Sequence, residues 1–222
     1  MTQKLAHFLM HLFVRLAMHV EIVGLENIPQ QGGFIITPNH LGRLDVPLGY
    51  VFLNRNDIIM MVAEKYHKYA IIRWFVKNLD AMWVDRFNAD FKALREALNR
   101  LKRGGVLVIA PEGTRSKTEA LLEARPGSSF LAVKAGVPIV PVGVTGTEDR
   151  LVVQQFKRLR RPQIHVRIGK PFTLPPIKGH ERDQAIQSYT DEIMCHIAAL
   201  LPPEKRGFYA NHPRTLELLS GG

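Results

Sequence analysis

The chain has 222 residues, 46% of them hydrophobic, with 17 glycines and 14 prolines spread along its length. That is enough for one well-filled domain, and the composition of a folded globular protein excludes a disordered tail. Thirty Lys and Arg against 20 Asp and Glu leave a formal charge of +10, which points to a phosphate-bearing partner: nucleic acid, anionic lipid or a phosphorylated small molecule.

The first element in chain order is LAHFLMHLFVRLAMHVEIVG, residues 5–24. Arg15 and three histidines (His7, His11, His19) interrupt it and no small-residue cleavage site follows, which counts against a membrane span and a secretory signal. Leu5, Phe8, Leu9, Leu12, Phe13 and Leu16 follow the i, i+3, i+4, i+7 spacing of one apolar helix stripe. That stripe either packs on the protein's own body or lies in a membrane interface, and the spacing fits both.

Short runs rich in Ile and Val, bounded by Gly and Pro, then recur at 32–37, 57–63, 80–85, 104–111, 137–144 and 164–169 and predict buried strands. Helical patterns lie among them at 45–53, 64–77, 88–102, 128–135 and 180–200. Strands alternating with helices predict a single α/β domain whose largely parallel or mixed sheet is covered by helices, with an N-terminal amphipathic helix added. Ligands of such sheets sit beyond the carboxyl ends of the strands. PNHLGRLD (38–45), VDR (84–86) and PEGTR (111–115) each follow a predicted strand and are therefore candidate site loops.

In the first loop, His40 and Asp45 would point about 140° apart on one continuous helix and would not meet. With Gly42 between them the backbone can bend, so that Asp45 starts the helix and its carboxylate reaches an imidazole nitrogen of His40. The other nitrogen is then free to take a proton from a hydroxyl. The same spacing also fits an Asp45 that only caps the helix, and a chain with nine histidines meets His-x4-Asp by chance. In the third loop, Glu112, Thr114 and Arg115 cluster around Gly113, whose bare backbone would let N–H groups approach a ligand, and an arginine fork there suits phosphate. Arg86 is a second candidate phosphate anchor, or a salt-bridged strand end.

The blocks together, Asn39-His40-x4-Asp45, Asp85-Arg86, Glu112-Gly113-Thr114-Arg115 and Val137 to Val142, come in this order at strand ends. The pattern resembles the glycerolipid acyltransferases, the family that includes 1-acylglycerol-3-phosphate acyltransferases. It spans residues 40–143 and, more loosely, the tail LPPEKRGFYA at 201–210. The resemblance implies catalytic roles for His40 as general base and Asp45 as its partner. It implies substrate binding by Arg86, Glu112, Gly113, Thr114 and Arg115, and an acyl-donor wall at Pro138 and Pro141. The aromatic residue of the second block is displaced, since Trp83-Val84-Asp85-Arg86 stands where the family has a Phe-x-x-Arg type sequence.

The implied reaction moves a fatty acyl group from an acyl thioester to the hydroxyl of 1-acylglycerol 3-phosphate or a related lysophospholipid. No cofactor is expected, only acyl-CoA or acyl carrier protein as co-substrate, and no metal. Glycerol 3-phosphate or an aminolipid acceptor fits the same blocks, and the rival from another class is a catalytically silent lipid-binding protein of the same fold. The resemblance divides the chain into an N-terminal amphipathic, membrane-associating helix at 1–24 and an acyltransferase domain at 25–222. It places the protein, peripheral or monotopic, on the cytoplasmic face of a membrane, with anionic lipids meeting Lys157, Arg158, Arg160, Arg161 and the stretch 65–77 around Trp74 and Phe75. No helix-turn-helix, RNP-type or zinc-finger spacing supports nucleic acid as partner, and neither HExxH nor a P-loop appears. The lone Cys195 reads as a small buried hydrophobe in a reducing setting, and His67, His165, His180, His196 and His212 show no partner in the sequence.

Overall fold

The computed structural model describes residues 2–53, 55–85, 90–177 and 182–221. Its centre is a seven-stranded sheet. The strands are β1 (His19–Val23), β2 (Phe34–Pro38), β3 (Ile58–Ala63), β4 (Met82–Val84), β5 (Val106–Val108), β6 (Ile139–Thr145) and β7 (Gln163–Ile168). Across the sheet they run β1-β7-β6-β2-β5-β3-β4. All neighbours are parallel except β6 and β7, so β1 and β7 run opposite to the other five. The sheet is thus mixed, and β2, which leads into the first candidate loop, lies in its middle.

The two-residue period of a strand sorts the apolar runs onto two faces. Phe34, Ile36, Ile58, Met60, Val106 and Val108 face one core, whereas Ile35, Ile59 and Leu107 face the other. Helices α1 (Thr2–Ala17), α2 (Asp45–Val51) and α3 (Ala70–Asn78) cover the first face. Helices α4 (Phe91–Lys102), α5 (Gly127–Ala135) and α7 (Arg182–Leu200) cover the second, and α8 (Pro213–Ser220) packs on α7. Being buried on both sides explains why these strands read as unbroken apolar runs.

Three elements were not foreseen. The N-terminal helix ends at Ala17, and His19–Val23 continues as a strand paired with β7, so the stretch 1–24 holds both a helix and a sheet strand. Helix α6 (Asp149–Lys157) hides in sequence behind the basic run that follows it. It does not carry the chain back along the sheet, so β7 starts at the edge where β6 ends and pairs antiparallel, with Thr145 opposite His165. The short α8 was the third.

Helix α1 presents its Leu and Phe stripe to solvent. Phe8 is 60% exposed and Leu16 58%, while Ala6, Val14 and Met18 are the residues packed into the core. Among the described residues no helix is long and apolar enough to cross a membrane.

Candidate active site

The first loop folds back at the carboxyl end of β2. Asn39 is buried, and its side chain donates to the Val144 carbonyl at 2.9 Å and accepts from the Val144 N–H at 2.7 Å, clamping the end of β2 to β6. The chain then passes so close to residue 147 that a Cβ on Gly42 would run into the Thr147 carbonyl oxygen. Only glycine fits there, and the tight passage turns His40 back over Asp45.

His40 Nδ1 lies 2.7 Å from Asp45 Oδ2, and the same oxygen accepts the N–H groups of Leu41 at 2.8 Å and Gly42 at 3.0 Å. An ionised carboxylate only accepts, so Nδ1 carries the proton and the lone pair is on Nε2. Asp45 opens α2 without being its N-cap, a position held by Leu44, and its side chain serves the loop behind it. The two side chains are 12% and 7% exposed, dry enough for the contact to resist screening by water.

Glu112 sits behind this pair. It is 2% exposed, and its two oxygens accept the backbone N–H groups of His40 (2.8 Å) and Leu122 (2.9 Å). The Ser116 N–H in turn donates to the His40 carbonyl at 2.9 Å, so both backbone groups of His40 are held by the PEGTRS loop. Burial pushes the Glu112 carboxyl above its ordinary range, against the pull of the two N–H donors. Glu112 is thus a brace for the histidine loop, not a group turned toward a ligand.

The remaining predicted residues separate. The guanidinium of Arg115 pairs with Asp149 at the start of α6, and its Nη2 approaches the Tyr66 hydroxyl at 3.5 Å. Asp149 also takes the Arg43 N–H at 2.9 Å. Gly113 has φ +68 and lines the cleft with His40, but its N–H donates to the Ala110 carbonyl at 3.1 Å and is not turned to a ligand. What its missing side chain makes room for is Arg125, whose Cδ would lie 3.1 Å from a Cβ placed there. Thr114 is exposed, and Arg86 lies outside the described residues.

His40 and Asp45 open into a cleft of about 290 Å³ whose apolar wall includes Met60, Met61, Val84, Leu94, Val108 and Ile109. Among the described lining residues the Arg or Lys is Arg125, joined by Gly127 and Ser128 at the start of α5. Sequence reasoning missed Arg125, Ser128 and Asp149. The available signal was position: Arg125-Pro126-Gly127 announces a helix start after the third loop, and Asp149 opens one after β6.

Several histidines that looked partnerless in sequence have partners. His165 Nδ1 lies 3.0 Å from Glu21, His196 Nε2 3.1 Å from Glu192, and His212 Nδ1 3.2 Å from the buried Cys195 sulfur. His67 meets the Trp83 ring edge-on, and His180 lies outside the described residues. Burial pushes the Cys195 thiol up, as expected of an inert core residue.

A histidine oriented by an aspartate lies at the carboxyl ends of a mostly parallel sheet, above a narrow apolar cleft, the place where α/β proteins of this class hold their ligands. The chain belongs to the acyltransferase family, whose family model matches residues 19–145. It is 26% identical to the chloroplastic 1-acyl-sn-glycerol-3-phosphate acyltransferase BAT2 of Brassica napus, over 77% of this chain and 51% of the relative. It is 29% identical to the 1-acyl-sn-glycerol-3-phosphate acyltransferase of Bacillus subtilis, over 69% of this chain and 73% of the relative. The chain spans about half the length of the plant and algal relatives it matches. The fold matches the crystal structure of the 1-acyl-sn-glycerophosphate (LPA) acyltransferase PlsC from Thermotoga maritima with a TM-score of 0.64 and 28% identity, covering 86% of this chain and 76% of that one.

Proposed function

We propose that this protein transfers a fatty acyl group from an acyl thioester, acyl-CoA or acyl carrier protein, to the free hydroxyl of 1-acylglycerol 3-phosphate, with His40 as general base. The observation that carries the reading is the 2.7 Å contact between His40 Nδ1 and Asp45 in a cleft walled by methionine and branched aliphatic side chains.

His40 Nε2 takes the proton of the acceptor hydroxyl as that oxygen attacks the thioester carbonyl. Asp45, held by two backbone N–H groups, keeps the imidazole in the tautomer that can accept and stabilises the imidazolium that forms. Collapse of the tetrahedral intermediate breaks the carbon–sulfur bond, and the thiolate leaves with the proton held on His40. The product is the diacyl phosphate ester and a free thiol, with no covalent enzyme intermediate. Holding acceptor and donor side by side contributes up to about 7–11 kcal/mol toward the barrier.

Both substrates are lipid-linked, and the exposed stripe of α1 supplies a surface for docking on the cytoplasmic face of a membrane. Arg161, one of the basic residues after α6, reaches the Arg15 carbonyl at 3.5 Å, which sets positive charge beside the apolar stripe where anionic headgroups would lie.

Thiol release in detergent, with lysophosphatidate and an acyl-CoA, tests the reading. His40→Ala is expected to lose roughly 10²- to 10⁴-fold in kcat, the usual contribution of a general base. Equal release by wild type and variant would remove His40 from that role.

A further inference from the structure

Asp149 opens α6, the helix that follows β6, and the helix dipole alone would favour an acid in that first turn. Its two oxygens are spent on other parts of the chain. Oδ1 accepts the Arg43 N–H at 2.9 Å, across 106 positions of sequence, and Oδ2 takes the Arg115 guanidinium. One carboxylate therefore joins the loop that carries His40 to the loop that carries Arg115. The backbone reinforces the junction, since Gly42 packs so closely on the Thr147 carbonyl and the Asp149 nitrogen that a Cβ has no room there.

A second contact fixes the other side of Arg115. Its Nη2 approaches the hydroxyl of Tyr66, which lies in the turn directly after β3, at 3.5 Å. A guanidinium carries five N–H donors in a planar fork, so a carboxylate on one nitrogen and a hydroxyl near another set its plane and leave donors unspent. Charge is left over as well. Arg43 Nη1 lies 3.7 Å from the same Asp149 carboxylate, so one negative group faces two guanidiniums and the cluster of Arg43, Arg115 and Asp149 keeps a net positive charge. Loops from the carboxyl ends of β2, β3 and β5 meet in this cluster, and two of them supply His40 and Gly113 to the cleft.

We propose that Asp149 is a positioning residue: it holds the Arg115 guanidinium and the histidine loop at a fixed spacing, so that an acceptor whose phosphate meets Arg115 presents its hydroxyl to His40. This rests on the acyltransferase reading above and on the phosphate contact that the Glu-Gly-Thr-Arg motif implies for Arg115. Asp149 itself stands outside every sequence motif and beyond residue 145, where the family match ends.

The experiment is steady-state kinetics of wild type, Asp149→Asn, Asp149→Ala, Arg115→Gln and the double variant Asp149→Asn/Arg115→Gln. Lysophosphatidate and acyl-CoA are varied separately, with 1-acylglycerol as an acceptor that lacks the phosphate. Asn keeps an oxygen for the Arg43 N–H and loses the charge that aligns Arg115, whereas Ala loses both. Arg115→Gln is expected to raise the KM for lysophosphatidate about 10- to 100-fold, the range for losing a charged hydrogen bond, and Asp149→Asn about 3- to 10-fold with little change in the donor KM. Asp149→Ala adds a fall in kcat, because the histidine loop is released too. The double variant is expected to be no worse than Arg115→Gln alone, since residues that act through one contact are not additive. The preference for lysophosphatidate over 1-acylglycerol shrinks in every variant. An Asp149→Asn protein with an unchanged lysophosphatidate KM, whatever its thermal midpoint, would leave Asp149 a structural role only and overturn the proposal, as would additive losses in the double variant. An unchanged KM in Arg115→Gln overturns it as well, by removing the phosphate contact, and leaves the acyltransferase reading intact. A wild-type protein inactive on lysophosphatidate overturns both.

Discussion

Glu112 shows how a residue can be central to a site without facing a ligand. Two buried N–H groups, one on His40 itself, converge on its carboxylate. Glutamine would turn an NH2 group toward one of those donors, leaving a buried N–H unmatched at about 1–3 kcal/mol. Glu112→Gln is thus expected to lower the thermal midpoint and to reduce kcat with little effect on either KM, because it loosens the loop that carries His40 and not the walls of the cleft. The pH dependence carries a sign. Burial raises the carboxyl above its ordinary value, so the folded state holds this proton more tightly than the unfolded chain. Its contribution to stability is full below the ordinary glutamate range and is lost as pH rises through the raised value. Urea midpoints of wild type and Glu112→Gln from about pH 4 to 7 would show this slope in the first and not in the second; parallel curves would mean the carboxyl is not desolvated. The sequence made the His40 and Asp45 pair legible because both partners and the intervening Gly42 lie within six residues. It could not reveal that Glu112 reaches back 72 positions, or that Arg115 is engaged by Asp149, because those contacts depend on how strands are ordered in the sheet.

At the scale of an element, α1 is apolar on two sides, and that defeats periodicity as a guide to which side is buried. Ala6, Met10, Val14 and Ala17 form one stripe and pack toward α2, α3 and the sheet, while the bulkier Leu and Phe stripe faces outward. Small residues let a helix lie close to its neighbours, which leaves the large ones for another surface. Phe8 and Phe13, 60% and 44% exposed, are the natural anchors. Replacing both by serine is expected to leave the thermal midpoint within about 0.5 kcal/mol of wild type, as for ordinary surface changes. Loss of about 1.5–3 kcal/mol of burial per ring would weaken binding to anionic vesicles at least tenfold. Vesicle sedimentation reads this directly, and unchanged partitioning would assign α1 to contact with something other than lipid. The central strands were legible because a run buried on both faces needs no choice of side, whereas the half-exposed β1 was not. Helix α6 was not, because its polar composition gives way to the basic turn at 158–161 without a break in the charge pattern.

For the molecule as a whole, the C-terminal tail is part of the site's support although it lies outside the residues matched by the family model. The Lys205 carbonyl accepts the Leu121 N–H and the Phe208 N–H donates to the Leu121 carbonyl, both at 3.0 Å, which pins the loop whose next residue donates to Glu112. Gly207, at φ +45, is required there, since a Cβ would collide with that Leu121 carbonyl. The fully buried Tyr209 receives the Ala124 N–H on its hydroxyl at 3.2 Å, one residue before Arg125. Lys205 also neutralises Glu148, 1% exposed, at the start of α6. Contacts therefore run from the tail through 121–125 to Glu112 and His40. Lys205→Met would leave the Glu148 charge uncompensated in the interior, a loss of about 3–5 kcal/mol. Tyr209→Phe removes one hydroxyl from a buried N–H for about 1–3 kcal/mol and keeps the ring packed. If the tail supports the site as this geometry requires, Tyr209→Phe lowers kcat at temperatures well below its melting point. A variant that only melts earlier, with full kcat in the cold, would make the tail a matter of stability and not of site geometry.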